Sequence, residues 1–160
     1  MSMIQTSVGS FIAIVLIGLI AKLHVMDQQV ALFLIGSFGA TAVMLFALPD
    51  SPYAQTKNAI GGHVISATIG VTAQILFPET LFLASAIAVS VSISLMQLTQ
   101  TLHPPGGATA LIAVIGGPAI HELGYLYVLS PVLLGTVIML IVARIVRHTK
   151  LEKKKSRHYL

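Results

Sequence analysis

Every acidic residue of this chain falls between or after its long apolar runs: Asp27, Asp50, Glu79, Glu122 and Glu152. A carboxylate at mid-bilayer costs about 3 kcal/mol or more, so this placement fits apolar runs that sit in hydrocarbon. Charged residues make up only 9% of the 160, against about 25% in a soluble domain. Mean hydropathy is +0.92. Backbone polar groups must then be satisfied within each segment, and for runs of this length that means helices. The expectation is an all-α membrane protein.

Six apolar segments stand out, at roughly 8–23, 29–48, 59–77, 80–97, 106–119 and 126–146. Most approach the ~20 residues needed to cross ~30 Å of hydrocarbon. The fifth is short and is closed by Gly116-Gly117-Pro118. Two layouts fit: six spans arranged as two inverted three-segment repeats, or four full spans plus two re-entrant or broken helices. The repeat rests on Gly39-Ala40-Thr41-Ala42, which returns 68 positions later as Gly107-Ala108-Thr109-Ala110. The same offset carries 59–77 onto 127–145. Inverted repeats of this kind are common in transporters. Phe77-Pro78-Glu79-Thr80 reads as a helical hairpin turn.

Residues 1–147 are expected to form the transmembrane domain and 148–160 a basic cytoplasmic tail. Arg144, Arg147, Lys150, Lys153, Lys154, Lys155 and Arg157 cluster toward the C-terminus, at the end of the last segment and in the tail, leaving only Lys22 and Lys57 elsewhere. Such a cluster beside a last span places the C-terminus inside and points to anionic lipid as its contact, with no nucleic acid involved. The expected location is a bacterial plasma membrane. The start has no basic n-region, so 8–23 reads as a retained span. With no cysteine, thiol chemistry is excluded.

The chemistry is expected at His103-Pro104-Pro105-Gly106-Gly107-Ala108-Thr109-Ala110. Each proline lacks an N–H and pushes the residue before it away from helical angles. His103 and Pro104 should therefore be extended, with a helix starting at about Pro105. A helix start carries unpaired N–H groups and about half a positive charge, which suits an anion. Gly106, Gly107 and Ala108 would offer their N–H groups there, and Thr109 a hydroxyl. Gly39, Ala40 and Thr41, within Gly36 to Thr41, would be the counterpart in the other half. Close helix packing competes at all of these small residues; it is the favoured reading at Gly39, and backbone exposure is favoured at Gly106 and Gly107.

The loop from Asp50 to His63 is the second candidate. Ser51-Pro52 fits a helix start. Lys57, Asn58 and His63 could gather an anion, while interfacial snorkelling of Lys57 and capping by Asn58 are the bland alternatives. Gly62, Ser66 and Gly70 recur every four residues and read as a packing stripe. His63 and His103 could gate or carry a proton. Gln97, Thr99, Gln100 and Thr101 could line a pore or satisfy backbone groups near the prolines. Metal is not expected, because no helical His pair and no intramembrane carboxylate is present. No nucleophile with a paired acid–base group is evident, so an enzyme is not expected, nor a cofactor.

These residues resemble the HPP family of integral membrane proteins, named for the motif at His103-Pro104-Pro105. Gly39 to Ala42, Ser51 to His63 and Leu98 to Ala110 carry the likeness. The resemblance implies four spans and, from chloroplast and cyanobacterial members, nitrite transport. One departure is Thr56-Lys57, where the family pattern has Pro-Arg. Lysine keeps the charge but loses the planar fork that suits a two-oxygen anion. The expected function is a transporter or channel for a small inorganic anion, nitrite first, working as a possible homo-oligomer. A membrane-embedded binding or regulatory subunit and a pore for another small solute are the alternatives.

Overall fold

The computed structural model describes residues 1–24 and 35–149. Asp27, the beginning of the second apolar segment and the tail from Lys150 onward lie outside the described residues. Among those described, six main helices carry the fold: α1 (Met3–His24), α2 (Gly36–Ala47), α3 (Thr56–Leu76), α4 (Leu81–Leu98), α5 (Pro105–Ile115) and α6 (Val128–His148). Four of these are long and apolar enough to cross a membrane. The two short ones, α2 and α5, reach about 16–18 Å at 1.5 Å per residue, roughly half the hydrocarbon.

The order is long, short, long, repeated once. Helix ends show how the segments alternate. Thr6 Oγ1 donates to the Phe46 carbonyl at 2.8 Å, and Gln5 Nε2 to the Thr149 carbonyl at 3.0 Å. Arg147 Nη2 donates to the Pro49 carbonyl at 2.8 Å. The starts of α1 and α3 and the ends of α2 and α6 therefore share one end of the bundle. The Phe77–Thr80 turn and Tyr125, whose hydroxyl lies 3.0 Å from Thr72 Oγ1, mark the other. Helix α6 packs along α1, and α3 along α4, so each long helix pairs with one from the other half. This exchange is what a two-fold relation between halves produces. The two expected layouts are thus combined: four long helices and two half-length ones, alternating in direction. Helix α5 does not dip and return, because it starts beside Gly62 and Ser66, part-way along α3, and runs beside the rest of it to the far end.

Parallel packing of α3 and α5 follows from glycine. Gly62 leaves room for the His103 Cβ, and a methyl on Gly70 would come within 2.5 Å of the Ala110 carbonyl. The small-residue stripe is therefore a packing stripe, as its spacing predicts. Phe38, Phe46, Ile17, Met139 and Val146 fill the opposite side, where α1, α2 and α6 meet. Helix α6 is kinked near its start: Ser130, before Pro131, leaves helical angles at φ −143° and ψ 121°. Proline cannot donate to the preceding turn, which gives the kink its cause.

The break before α5 is held in three ways. Gln100 takes the left-handed conformation at φ 55°, and the Thr101 N–H returns to the Met96 carbonyl at 2.8 Å. This closes α4 as a Schellman turn with glutamine where glycine is usual. Asn58 Nδ2 donates to the Leu102 carbonyl at 2.9 Å. His103 Nδ1 donates to the Tyr53 carbonyl at 2.8 Å. The expectation that Pro104 is extended is corrected: it is helical, at φ −50° and ψ −39°. The Gly106 N–H to the His103 carbonyl and the Gly107 N–H to the Pro104 carbonyl, at 2.8 and 3.1 Å, close a turn that outweighs the steric bias of Pro105.

Candidate functional site

Helices α2 and α5 pack together near their N-termini, and α3 lies along α5 and reaches α2 through the His63 side chain. Ile35 is extended, at ψ 138°, so α2 begins abruptly at Gly36 and brings Ser37 and Thr41 onto its inner face. The proline turn does the same for Thr109 on α5. Between them stands His63 of α3. Its Nε2 is 2.8 Å from Thr41 Oγ1 and its Nδ1 is 2.7 Å from Thr109 Oγ1. The two threonines are the repeat-related positions, so one imidazole bridges the two halves.

Ser37, Thr41, His63, His103 and Thr109 are all fully buried. A buried polar group left unpaired costs about 1–3 kcal/mol, so the cluster has to close on itself. It can do so in two senses, since a neutral imidazole has one donor and one acceptor. With its proton on Nδ1, His63 donates to Thr109 Oγ1, which donates onward to Ser37 Oγ at 2.8 Å. Thr41 then donates to Nε2. With the proton on Nε2, His63 donates to Thr41 Oγ1, which donates to the Ser37 carbonyl at 2.9 Å. Thr109 then donates to Nδ1. Ser37 terminates the circuit either way.

His103 stands beside this circuit. A carbonyl can only accept, so His103 Nδ1 must carry the proton it gives to Tyr53. The opposite nitrogen, Nε2, is an acceptor, and its contact is Thr41 Oγ1 at 3.4 Å. In both senses of the circuit the Thr41 proton is committed elsewhere. This long contact is the weakest in the cluster. The two rings lie edge to face, with centroids 4.9 Å apart, and Phe38 closes the far side of His63 at 5.9 Å. The hydroxyl of Tyr127 secures the Thr109 carbonyl at 3.2 Å.

Residues 1–159 match the family described as HPP, transmembrane region. The chain belongs to the HPP family. Two relatives in Dictyostelium discoideum, each named as a transmembrane protein, are 43% identical over 146 residues and 39% over 149. The alignments cover 89% and 91% of this chain but 50% and 47% of the relatives. The chain thus spans about half the length of these curated relatives. No solved structure matches it.

The motif histidine, His103, is buried as expected of a site residue, but the rest of the motif divides. Pro105, Gly106 and Thr109 face inward, whereas Pro104 and Ala108 are exposed. The N–H groups of Gly106 and Gly107, expected to meet an anion, already serve the turn. Gly106 is a packing glycine, since a Cβ there would come within 2.7 Å of Ser66 Oγ and 2.9 Å of the Gly62 carbonyl. Gly39 is the reverse case. A Cβ at Gly39 or at Gly107 would meet nothing within 4 Å, so the packing reading of Gly39 is corrected. These two repeat-related glycines, like Ala40, sit on the outer faces of α2 and α5.

The loop candidates also separate. His63 belongs to the cluster. Asn58 does not cap α3 but holds Leu102, and Lys57 is exposed at the bundle's end, outside the cluster. Ser51 accepts from the Tyr53 N–H at 3.3 Å, as the Ser-Pro start predicts. Thr99 returns its hydroxyl to the Leu95 carbonyl at 2.7 Å, while Gln97 and Gln100 are exposed. Ser37 and Tyr53 lay inside the candidate stretches Gly36–Thr41 and Asp50–His63 without being singled out, and Tyr127 lay outside both. For Ser37, its place beside the repeat block was the signal. The Tyr53 carbonyl and Tyr127 gave none, since a backbone carbonyl and a lone tyrosine carry no pattern.

Proposed function

We propose that this HPP-family protein moves a small inorganic anion across the membrane, nitrite before others. The carrying observation is the buried His63–His103 pair, clasped by Thr41 and Thr109 at the starts of two half-helices. The positive ends of two half-helices favour an anion over a cation. An anion oxygen inserting at the 3.4 Å Thr41–His103 contact would accept from Thr41 and, once His103 Nε2 takes up a proton, from that N–H as well. In the sense where His63 Nε2 donates to Thr41, the Thr41 proton would turn from the Ser37 carbonyl to the anion, exchanging one hydrogen bond for another. The ligands in this reading are side chains, not the N–H groups of the glycines. Lys57 and the arginines of α6 would raise the local anion concentration at one mouth, taken as the cytoplasmic one.

A second reading is that the bundle binds or senses without transporting. The length of the relatives favours it, since about half of each lies outside the match.

Both readings meet one experiment. Purified protein in liposomes is tested for uptake of nitrite, nitrate, chloride and urea, with a pH dye inside, well above the acid pKa of nitrite. Saturable nitrite flux that falls at least tenfold in Thr109→Val supports the proposal. Flux of urea in preference to every anion makes the protein a neutral-solute pore. Absence of all flux from folded protein favours the sensing subunit.

A further inference from the structure

Away from the histidine cluster, at the end of the bundle shared by the starts of α1 and α3, a cleft of about 650 Å³ opens between α6, the end of α2 and the Pro49–Thr56 loop. Its wall changes character along α6. Val137, Leu140 and Ile141 form the apolar stretch, and Arg144, Arg147 and His148 the basic one. Val137, Ile141, Arg144 and His148 follow the three- and four-residue spacing of a single helical face. From Val137 to His148 the helix rises about 16 Å, which is the depth of one leaflet. Ile141 and Ile145 are more than half exposed, so this side of α6 faces the surrounding hydrocarbon.

We infer that this cleft holds an anionic phospholipid, its phosphate between Arg144 and Arg147 and an acyl chain along Val137 to Ile141. Charge complementarity argues for that occupant. Among the described residues no carboxylate lines the cleft, and Asp50, beside Pro49, is the acid closest along the loop. Arg147 already spans from α6 to the Pro49 carbonyl, which fixes its guanidinium at the rim with donors to spare. The sequence beyond Thr149 carries Lys150, Lys153, Lys154, Lys155 and Arg157 against Glu152, so its net charge has the same sign as the arginines of the cleft. A free phosphate would satisfy the arginines but leave the apolar wall uncovered. The inference is independent of what the histidine cluster transports.

The test is native mass spectrometry of the full chain in detergent, offered phosphatidylglycerol, phosphatidylcholine of equal chain length, inorganic phosphate or glycerol 3-phosphate. A basic side chain near a lipid surface contributes a factor of about five, so phosphatidylglycerol should be retained at least tenfold better than phosphatidylcholine. Arg144→Gln with Arg147→Gln should remove that preference. Ile141→Trp should block retention although every charge remains. If the double variant loses its fold, Arg144→Gln alone serves, because Arg144 makes no hydrogen bond with any other described residue. Equal retention of both lipids, or a preference that survives charge removal, overturns the inference. So does displacement of the lipid by inorganic phosphate or glycerol 3-phosphate at equal concentration, which would assign the cleft to a soluble anion.

Discussion

Substituting Gly70 by alanine tests the close approach of α3 and α5 and the histidine bridge together. The added methyl would lie 2.5 Å from the Ala110 carbonyl oxygen, 2.7 Å from the Ala113 Cβ and 3.0 Å from the Ala110 Cα. Unstrained contacts begin near 3.5 Å, so the helices must part by roughly 1 Å. Neither obstacle is a flexible side chain that could swing aside. Overpacking of this kind costs about 1–3 kcal/mol, partly offset by up to ~1 kcal/mol from the better helix propensity of alanine. Ala110 adjoins Thr109, so the same displacement stretches the 2.7 Å His63–Thr109 bond beyond useful hydrogen-bond range. A melting curve of the purified protein and a nitrite flux assay read the two effects. A fall in Tm of several degrees with at least tenfold slower flux is expected, at about 2–4 °C per kcal/mol for a chain of this size. An unchanged Tm with unchanged flux would refute the packing argument outright. A lower Tm with normal flux would detach the function from the bridge.

Gly39→Ala and Gly107→Ala add a methyl to open space, so each should leave Tm unchanged or raise it by the ~0.5–1 kcal/mol that alanine gains in a helix; a clear fall in either would show that the outer faces are covered. Thr109→Val keeps the shape but strips His63 Nδ1 and Ser37 of a partner, and should cost about 1–3 kcal/mol in thermal unfolding while Thr109→Ser retains most of it. Asn58→Ala frees the Leu102 carbonyl, and faster amide hydrogen exchange over residues 99–104 is expected with a stability loss of about 1 kcal/mol. Unaltered exchange in that loop would mean that the Schellman turn and the His103–Tyr53 bond hold the break without Asn58.

Much of the frame was legible because the membrane leaves few choices. Acids confined to the gaps, apolar runs of known length and a double proline sufficed for a helical bundle with a break before Pro105. Gly62, Ser66 and Gly70 declared their role through spacing, since four-residue periodicity puts small side chains on one helix face. The repeat was visible in four residues and drew attention to Thr41 and Thr109. What the glycines next to them do was not visible: Gly39 and Gly107 face outward, and Gly106 packs inward. A glycine's identity records that a side chain is missing, not which direction the bare backbone faces.

Residue order and the intolerance of hydrocarbon for charge or unpaired backbone therefore determined by themselves the all-helical class and the place of the break, while the half-length of α2 came only from the structure. Only the tertiary structure decided that His63 joins the two halves, that Asn58 and the Tyr53 carbonyl hold the break from 44 and 50 residues away, and that the turn consumes the N–H groups of Gly106 and Gly107. Local sequence governs which residues can leave a helix. Hydrogen bonds between buried polar groups depend on where other helices bring their partners, and that is set by packing across the whole bundle.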